Sequence, residues 1–507
     1  MQGKKQYQER LFVSFQLSDY VPEDNFYRKL KEAIDFSFLY KRTSAYYGKE
    51  GQKSIDPVVF MKLMLVGYLE NINSDRKIIA AAQMRLDILY FLGYNIDEEL
   101  PWHSTLSRTR QLYGAEVFKE VFQLVLRQCI EKGMVAGRRQ AVDSVLIKAN
   151  ASLDSMVERE VLQDISDFAN ELDGNAEETK KAPVVKLPKK AHKKGLAAKT
   201  NPGNKTHYSP SDPDAKMSTK PGKPTALNYL GQVGVDTASH VITHAEAFKA
   251  DKRDSQCLPK VLEGMLDNLK PGGIEVEELL ADTAYSSGEA LKALEHHGIT
   301  GYIPNRTQFV AEKPGFVYHS EEDYYSCPGN EKLIHKGTFE TLPGVYNKEY
   351  RISKRLCNIC PLKGQCTALK KSKNGAIIRE TVDKEYYQRM HQRMQTKRAR
   401  RLMKERSSTV EPVIGTLVNY LGMKKVNTKG LKQANKCMLL SATAYNIKKL
   451  LKHTSLLVQP KIAQMKKTLE TALKELQLLL KLLYVSDSCN HNYMPSQKLF
   501  CRYGQYL

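Results

Sequence analysis

No stretch of the 507-residue sequence approaches the roughly 20 consecutive apolar residues that a membrane-spanning helix needs. The first ten residues, MQGKKQYQER, lack the apolar core of a secretion signal. These two absences predict a cytoplasmic protein with no membrane partner. The basic regions also contain few interleaved aromatic residues, which disfavours an RNA-binding factor.

Acidic residues are too few to balance the basic ones. The chain has 56 Asp and Glu against 78 Lys and Arg, which gives a net charge of +22. Such a charge concentrates anionic partners at the protein surface and predicts a nucleic-acid partner. The alternative is a basic protein whose charge serves solubility alone.

Cysteine is scarce, and its count of nine is odd. In a reducing compartment, a group of cysteines indicates a metal site rather than disulfides. Cys327, Cys357, Cys360 and Cys366 form such a group, with one C-x2-C pair that fits tetrahedral Zn²⁺. The alternative is that these four are free or simply buried. The other five show no ligand spacing: Cys129, Cys257, Cys437, Cys489 and Cys501.

Residues 1–135 have the pattern of short helices. Ser54-Ile55-Asp56-Pro57 and Ser74-Asp75 are helix-start signals, and each precedes an apolar stripe. A short basic helix over residues 105–113 carries Arg108 and Arg110, as the recognition helix of a helix-turn-helix would. An ordinary helical packing domain fits the same pattern.

Strand patterns begin at residue 139, where QAVDSVLIKAN is rich in β-branched residues. Further strands, separated by helices over about 254–269 and 287–298, predict a mixed sheet with helices packed on it. Between them, about 180–224 is rich in Lys, Pro, Gly, Ser and Thr. This stretch predicts a flexible basic arm that contacts phosphates, or else a solvated linker.

Three carboxylates lie in local sequences that would direct them to one site. Asp143 lies within an apolar strand, Asp282 ends another in VEELLADTAY, and Glu411 lies at the start of a predicted helix in RSSTVEPVIGTL. Each alone is more often a cap or turn residue. Together, in a basic chain, they predict a site for two Mg²⁺ or Mn²⁺ ions that acts on a polyanion.

These segments resemble the bacterial insertion-sequence transposases of the DDE class. The resemblance covers residues 10–450 and rests on WHSTLSRTR, AVDSVLIKAN, SDPDAK with LNYLGQVGVD, LADTAYSSGEAL and RSSTVEPVIGTL. It implies an α/β fold with an RNase H-like mixed sheet and flanking helices. A helix-turn-helix-like domain would precede this core, and a Cys-rich insertion would interrupt it.

The resemblance also implies roles for single residues. Asp143, Asp282 and Glu411 would be the metal-binding catalytic triad, and Arg406 the arginine that precedes the glutamate. Where many relatives have a DNA-contacting lysine two turns after the glutamate, this chain has Val418, so Lys424 or Lys425 would substitute. Glu405 is a rival third carboxylate, better explained as a salt-bridge partner within a basic run.

The implied activity is hydrolysis at the element's ends followed by transfer of the freed 3′-hydroxyls to target DNA. The partners would be double-stranded DNA, both terminal inverted repeats and target, and a second copy of the chain in a homodimer. The location would be the bacterial nucleoid. Alternatives are an RNase H-like nuclease without strand transfer and a catalytically inactive DNA-binding regulator. The predicted DNA-contacting residues are Arg108, Arg110, Lys189, Lys190, Lys193, Lys194, Arg398, Arg400, Arg401, Arg406, Lys424 and Lys425.

Five segments follow from these patterns. They are a helical DNA-binding domain (1–135), the first part of the core (136–310), a Cys-rich insertion (311–378), core helices with the third carboxylate (379–452) and a C-terminal helix and tail (453–507). In the last segment, Ile462, Leu469, Leu476 and Leu483 fall seven residues apart, as in a coiled coil or a packed helix.

Overall fold

The structure is a computed structural model that describes residues 14–158, 203–306, 313–342, 345–366, 375–454 and the single residues 368 and 476, apart from positions 49, 51–53, 220, 221 and 223. Most of the predicted basic arm, with Lys189, Lys190, Lys193 and Lys194, lies outside these residues, as does most of the predicted C-terminal helix. The chain divides into two units, up to Lys449 and from Leu450 onward. The first unit contains all the features below.

The N-terminal part is helical, as its pattern predicted. The predicted start at Asp56 is confirmed, because its carboxylate accepts the N–H groups of Val58 and Val59 at 2.7 and 3.1 Å, with Pro57 in the first turn. The helices are α1 (Leu17–Tyr20), α2 (Phe26–Ala33), α3 (Phe38–Thr43), α4 (Pro57–Leu69), α5 (Asp75–Met84), α6 (Leu86–Leu92), α7 (His103–Leu112) and α8 (Ala115–Glu131).

Helix α4 is the centre of this helical part. Nine of its 13 residues are buried, and its apolar residues are spread around the whole helix. A helix that is apolar on all sides must be enclosed by its neighbours. Helices α3, α5 and α6 pack against α4, and α6 ends at Gly93, which has a φ of 87°.

A six-stranded mixed sheet follows. Its strands are β1 (Arg139–Lys148), β4 (Lys216–Ser218), β5 (Ala226–Asp236), β6 (Ile242–Lys249), β7 (Glu278–Leu280) and β8 (Thr300–Tyr302); β2 (Val157–Glu158) and β3 (His207–Tyr208) form a separate ribbon. The order is β6–β5–β1–β7–β8, with β4 also beside β5. β5 runs antiparallel to β1 and β6, whereas β7 is parallel to both β1 and β8. This is the strand order of an RNase H fold, which confirms the predicted fold class.

Helices cover both faces of this sheet. They are α9 (Asp254–Leu269), α10 (Gly288–His296) and, after the insertion, α12 (Lys384–Met394), α13 (Lys397–Tyr420) and α14, which begins at residue 431. A Cβ atom on Gly231 would lie 2.9 Å from Met438 of α14, and one on Gly234 would lie 3.2 Å from Met265 of α9. Glycine at these two positions lets helices approach opposite faces of β5.

The predicted Cys-rich insertion contains a second sheet, which the sequence reading did not predict. Its five antiparallel strands are β9 (Val317–His319), β10 (Tyr324–Ser326), β11 (Lys332–Leu342), β12 (Val345–Arg351) and β13 (Ile377–Thr381), with the short helix α11 (Lys354–Ile359) between the last two. Leu333 and Tyr350 are fully buried in its small core. Strand β13 leads through α12 into α13.

The N-terminal helices and the sheet are joined by specific hydrogen bonds. After α4, the Asn71 side chain donates to the carbonyl of Asn419 at 3.1 Å and accepts the N–H of Gly422 at 3.0 Å. Asn427 donates to the carbonyl of Asn73 at 3.0 Å. The loop after α4 is therefore fixed to the end of α13.

No helix in the described residues is long and apolar enough to span a membrane.

The two acids of the SDPDAK stretch have a structural role. Asp212 accepts the N–H of Gly430 at 3.2 Å, and Asp214 accepts the N–H of Leu431 at 3.1 Å. These N–H groups belong to the first turn of α14, where unpaired donors and the helix dipole favour carboxylates. This accounts for two acids in an otherwise basic segment.

Candidate active site

Asp143 lies in the middle of β1, between β5 and β7. Its Cα pairs with that of Val233, and its side chain is 17% exposed. Because side chains alternate along a strand, Asp143 shares the face of Val145 and Ile147. On this face a Cβ atom on Gly231 would lie 2.9 Å from Met438 of α14 and 3.0 Å from Ile147, so Asp143 points towards the layer that contains α13 and α14.

Asp282 follows β7 by two residues. The parallel register pairs Ala141 with Leu280, and two residues further along both chains Asp143 comes level with Asp282. One Asp282 oxygen accepts the N–H of Ala284 at 2.9 Å and so caps a short 3₁₀ helix, Thr283–Tyr285. The residue thus combines a cap with a place at the carboxyl end of a strand, where open α/β sheets bind their ligands.

Glu411 lies on α13, which packs on β1. Its side chain is 63% exposed, and its carboxylate oxygen lies 4.0 Å from Nη1 of Arg406. Nη2 of the same guanidinium donates to Oδ2 of Asp143 at 2.8 Å. One arginine therefore connects the first and third predicted carboxylates, although Glu411 reaches it from an open, solvated surface.

The carboxylates do not form a preassembled ion site. Among the residues that the structure describes, no three Asp, Glu, His or Cys side chains are grouped closely enough to hold a metal ion. The donor set itself fits Mg²⁺ or Mn²⁺, since both prefer carboxylate oxygens. The Nε atom of Arg406 is buried without a hydrogen-bond partner. Side chains would have to rearrange around Arg406 to hold an ion.

A buried hydrogen-bond chain lies beside the two aspartates. The Tyr285 hydroxyl donates to Gln232, whose side-chain amide donates to Asp254 at 2.7 Å. Burial raises the pKa of Tyr285 well above its ordinary value, and the charges of Asp254, Asp143 and Asp282 raise it further. Tyr285 therefore keeps its proton at neutral pH and acts as a donor. Sequence reasoning missed this chain, although an amide in the apolar strand LNYLGQVGVD was a usable signal.

Glu405 forms an ion pair, as its interpretation as a salt-bridge partner predicted. Arg139 of β1 donates to Glu405 at 2.9 Å and to Glu278 at 2.6 Å. Burial opposes the charge of Glu278, but Arg139 and Arg398 outweigh it, so the pKa of Glu278 lies below its ordinary value. These pairs connect β1, β7 and α13 at a second point, four residues before Asp143.

The predicted DNA-contacting residues within the described part of the chain differ in exposure. Arg108, Arg400 and Arg401 are exposed, and Arg398 is half-exposed beside Glu278. Lys424 and Lys425 are exposed just after α13, where their backbone pairs with Lys148 at the end of β1. Val418 lies on α13 itself, half-buried.

Arg110 is not available to DNA, and its predicted role is wrong. Its side chain is 7% exposed, and it donates twice to Asp75, at 2.5 and 3.1 Å. A charge on an amphipathic helix is usually solvated, but this one faces α4 and contacts the sulfur of Met64. Asp75, two helices earlier in the chain, supplies the compensating charge, which the local sequence around Arg110 could not reveal.

The four grouped cysteines line one small cavity of about 170 Å³, together with apolar residues such as Ile352 and Leu362. Cys357 accepts a hydrogen bond at its sulfur from the N–H of Ala376, 3.4 Å away. A Cβ atom on Gly329 would lie 3.4 and 3.7 Å from the sulfurs of Cys360 and Cys327. The sulfurs of Cys327 and Cys360, 33 positions apart in sequence, thus both lie near Gly329, although no three of the described cysteines are grouped closely enough to hold a metal ion.

Three of the remaining cysteines, Cys129, Cys257 and Cys437, are free and buried, as expected. Burial raises the pKa of Cys129 and Cys257 to about 12, which makes both thiols inert at neutral pH. Cys489 and Cys501 lie outside the described residues.

Two protein-family models match the chain. A transposase domain (DUF772) matches residues 15–112, which contain α1 to α7, and a transposase DDE domain matches residues 326–451, which contain the cysteines and Glu411. Asp143 and Asp282 lie between the two matched segments. No curated protein matches the chain.

Solved structures give weaker likenesses. A piggyBac transposase synaptic complex with hairpin DNA is similar at 9% identity, over 84% of this chain and 74% of that one, with a TM-score of 0.30. The Mos1 transposase paired-end complex is similar at 11% identity, over 52% of this chain and 64% of that one, with a TM-score of 0.16. Scores this low carry no argument.

The family models, and not these structures, therefore indicate the class of protein that the chain resembles. Enzymes with a transposase DDE domain act on DNA with the help of divalent metal ions. The second match covers the helix that carries Glu411, and the strand order in front of it is that of an RNase H fold. Residues 15–112 match a transposase domain and residues 326–451 match a transposase DDE domain, so the matched parts of the chain are those of a DNA transposase of the DDE class.

Proposed function

We propose that Asp143, Asp282 and Glu411 are the catalytic residues and that they hold two Mg²⁺ or Mn²⁺ ions. The supporting observation is the position of Arg406, whose guanidinium lies 2.8 Å from Asp143 and 4.0 Å from Glu411. The positive charge of Arg406 thus already lies between Asp143 and Glu411, where bound cations would lie. The parallel register of β1 and β7, continued two residues beyond its last pair, would bring Asp282 level with Asp143 as the third ligand.

The bound ions would activate an attacking oxygen and stabilise the leaving oxygen of a phosphodiester. The protein's own residues would position the reacting groups. Asp143 and Asp282 hold one side of the site from the sheet, and Glu411 holds the other from α13. Neutral Tyr285 keeps its hydrogen bond to Gln232 beneath them and so preserves the shape of the site.

Two displacement steps at phosphorus account for the activity. In the first, a water oxygen attacks the phosphorus at an element end, and the bond from phosphorus to the 3′ oxygen breaks. The water's proton leaves to solvent, and the departing oxygen takes up a proton as a 3′-hydroxyl. In the second, that hydroxyl attacks a target phosphodiester and displaces a target 3′-hydroxyl. The first step is a hydrolysis, which is favourable by itself, and the second makes one phosphodiester for the one it breaks, so no cofactor energy is needed.

DNA would lie along the exposed basic surface of α13. Arg400 and Arg401 lie on this surface within three turns of Glu411, and Lys424 and Lys425 follow the helix. The α7 helix, with exposed Arg108, would contact the element end. Two ends must be joined in one reaction, so we propose a homodimer, with the protein located on the nucleoid.

The test uses the full chain, Mg²⁺ or Mn²⁺, and DNA duplexes taken from the ends of the element that carries the gene. Wild type should nick these duplexes and join the cut end to a second duplex. Asp143→Ala, Asp282→Ala and Glu411→Ala should each lose more than about 100-fold in nicking rate, since even changes around metal ligands reach that size. All three should still bind DNA.

Glu405→Gln is the matched control, because Glu405 is the other carboxylate on this stretch of α13. It contacts Arg139 and not Arg406, so its nicking should stay within a few-fold of wild type. Full nicking by Asp282→Ala would refute the triad. Nicking without joining would mean that the assay lacks strand transfer and would favour a simple nuclease.

We also propose that Cys327, Cys357, Cys360 and Cys366 bind one structural Zn²⁺. Support comes from the single cavity that all four line and from the N–H of Ala376 that already donates to a sulfur. Four thiolates complete a tetrahedral shell and leave no open position for catalysis. The ion would hold α11 to the turn at Cys327 and so stabilise the insertion.

Zinc content measured by mass spectrometry should be one ion per chain in the purified protein. Cys360→Ser should lose the zinc and lower the melting temperature, whereas Cys129→Ala, outside the group, should retain the zinc. Protein that contains no zinc, and takes up none after reduction and incubation with ZnSO₄, would contradict the proposal.

A further inference from the structure

Arg406 differs from an ordinary structural arginine in how few of its donors are used. Its side chain is only 10% exposed, yet its one short hydrogen bond is to Asp143. The contact with Ser407 is 3.5 Å long, that with Glu411 is 4.0 Å, and Nε is buried with no hydrogen-bond partner among the residues that the structure describes. A buried guanidinium with unsatisfied donors is costly unless another group completes its shell.

A second arginine connects the same two elements and shows the contrast. Arg139 reaches from β1 to Glu405 of α13 with bonds of 2.9 and 3.1 Å, and to Glu278 with 2.6 Å. Its donors meet two carboxylates, so its role in joining strand and helix is complete. Arg406 makes the corresponding link from α13 to Asp143, four residues further along β1. Some of its N–H donors remain available to a ligand.

The anion best suited to those donors is a DNA phosphate. A guanidinium can bind two phosphate oxygens with parallel hydrogen bonds, which a single oxygen of Asp143 cannot match. Asp143 Oδ2 is at the same time the oxygen that a divalent cation would need. Arg406 and the cation therefore compete for one carboxylate, and a phosphate competes with that carboxylate for Arg406.

We propose that Arg406 couples DNA binding to metal binding at this site. Without DNA, the guanidinium occupies Asp143 and weakens its hold on Mg²⁺ or Mn²⁺. When a DNA phosphate draws Arg406 away, Asp143 is released to the cation. By linkage, DNA raises the metal affinity, and metal raises the DNA affinity by the same factor. The inference rests on the carboxylate assignment proposed above and adds that Arg406 is a positioning residue with a regulatory effect.

The experiment measures Mn²⁺ binding to the full chain by electron paramagnetic resonance, with and without a duplex that ends in the already cleaved element end. This duplex provides phosphates but no bond to hydrolyse. In wild type, DNA should raise the Mn²⁺ affinity by about 10-fold, within the usual range of coupling between two sites. Arg406→Gln should bind Mn²⁺ tightly without DNA, and its coupling factor should fall below about 2.

Arg139→Gln is the control, because it removes the other arginine between the same strand and helix and should keep the coupling. Arg406→Lys keeps the charge without the two-pronged geometry and should show intermediate coupling, which gives a second variant should Arg406→Gln fail to fold. Wild-type coupling in both Arg406 variants would overturn the proposal. If Asp143→Asn leaves Mn²⁺ binding unchanged, the carboxylate assignment itself is wrong, which is a different result.

Discussion

Arg110 and Arg406 have similar sequence settings but opposite structural roles. Each lies on a basic helix, each is at most 10% exposed, and each pairs with an aspartate from a distant segment. Arg110 donates through both terminal nitrogens to Asp75, at 2.5 and 3.1 Å. Arg406 donates through one, to Asp143, and its Nε has no partner.

The difference shows that burial and pairing do not by themselves distinguish a structural ion pair from a functional one. What distinguishes the two arginines is how completely their donors are satisfied. A satisfied pair cannot gain by exchanging its partner, whereas an unsatisfied one can bind a better ligand at little cost.

The largest effect is expected for Asp75→Ala. This change leaves the Arg110 charge buried without a partner, which typically costs about 3–5 kcal/mol. Denaturant unfolding should show the loss in the free energy of unfolding, while Mn²⁺ binding to the folded variant stays as in wild type. The exposed pair Arg138–Glu277 provides the control, since Glu277→Ala should cost less than about 1 kcal/mol. Equal costs for the two variants would contradict a structural role for Arg110.

A second buried cation lies directly beside Arg110. Lys436 of α14 donates to the carbonyls of Arg110 and Tyr113 at 2.7 and 2.6 Å. Burial, with help from the Arg110 charge, lowers the pKa of Lys436 to about 8. In the unfolded chain this lysine has a pKa of about 10.4. Below pH 8 the folded protein therefore holds a buried charge, which lowers its stability. As the pH rises from 8 to 10.4 the folded protein loses this charge before the unfolded chain does, so the free energy of unfolding increases.

Wild-type stability relative to Lys436→Met should therefore increase by about 3 kcal/mol between pH 7 and pH 10.5. Burial raises the pKa of the nearby Tyr113, which acts in the opposite direction, but Tyr113 is present in both proteins and its effect largely cancels. The measurement is denaturant unfolding at several pH values. A difference that stays constant with pH would show that Lys436 keeps its proton throughout.

The smallest effect concerns the arginines of α13 that do face solvent. Arg400→Gln with Arg401→Gln should lower the slope of log affinity against log salt by about 2, since each phosphate contact contributes about 0.9. DNA binding measured between 50 and 300 mM salt gives the slope. Arg42→Gln is the control, because Arg42 is an exposed arginine that pairs with Glu120 and lies far from α13 in the sequence. An unchanged slope would place DNA elsewhere.

Local signals in the sequence predicted local structure well. The Asp56-Pro57 start of α4 and strand β1 over 139–148 follow from a helix-start signal and from β-branched residues. The order of strands and helices predicted a mixed sheet, because the connecting helices leave few ways to pair the strands.

Features that depend on distant partners could not be predicted. The interior position of Arg110 is set by Asp75, and the ion pair of Arg406 by Asp143, and neither partner is near in sequence. The sheet of the insertion was missed because its strands are largely polar outside the small core around Tyr350, so their apolar residues form no clear alternating pattern. The cysteines gave the one usable signal there, since thiols that converge keep a recognisable spacing.

The hydrogen bonds of Asn71 and Asn73 with residues 419–427 have a consequence for how such enzymes can be recombined. The helices at the start of the chain are fixed to the far end of the helix that carries Glu411. Exchanging those helices with a homologue's would leave the backbone groups of Gly422 and Asn419 without their partners. A working chimera must therefore carry both loops from the same parent, although they lie almost 350 residues apart in the sequence.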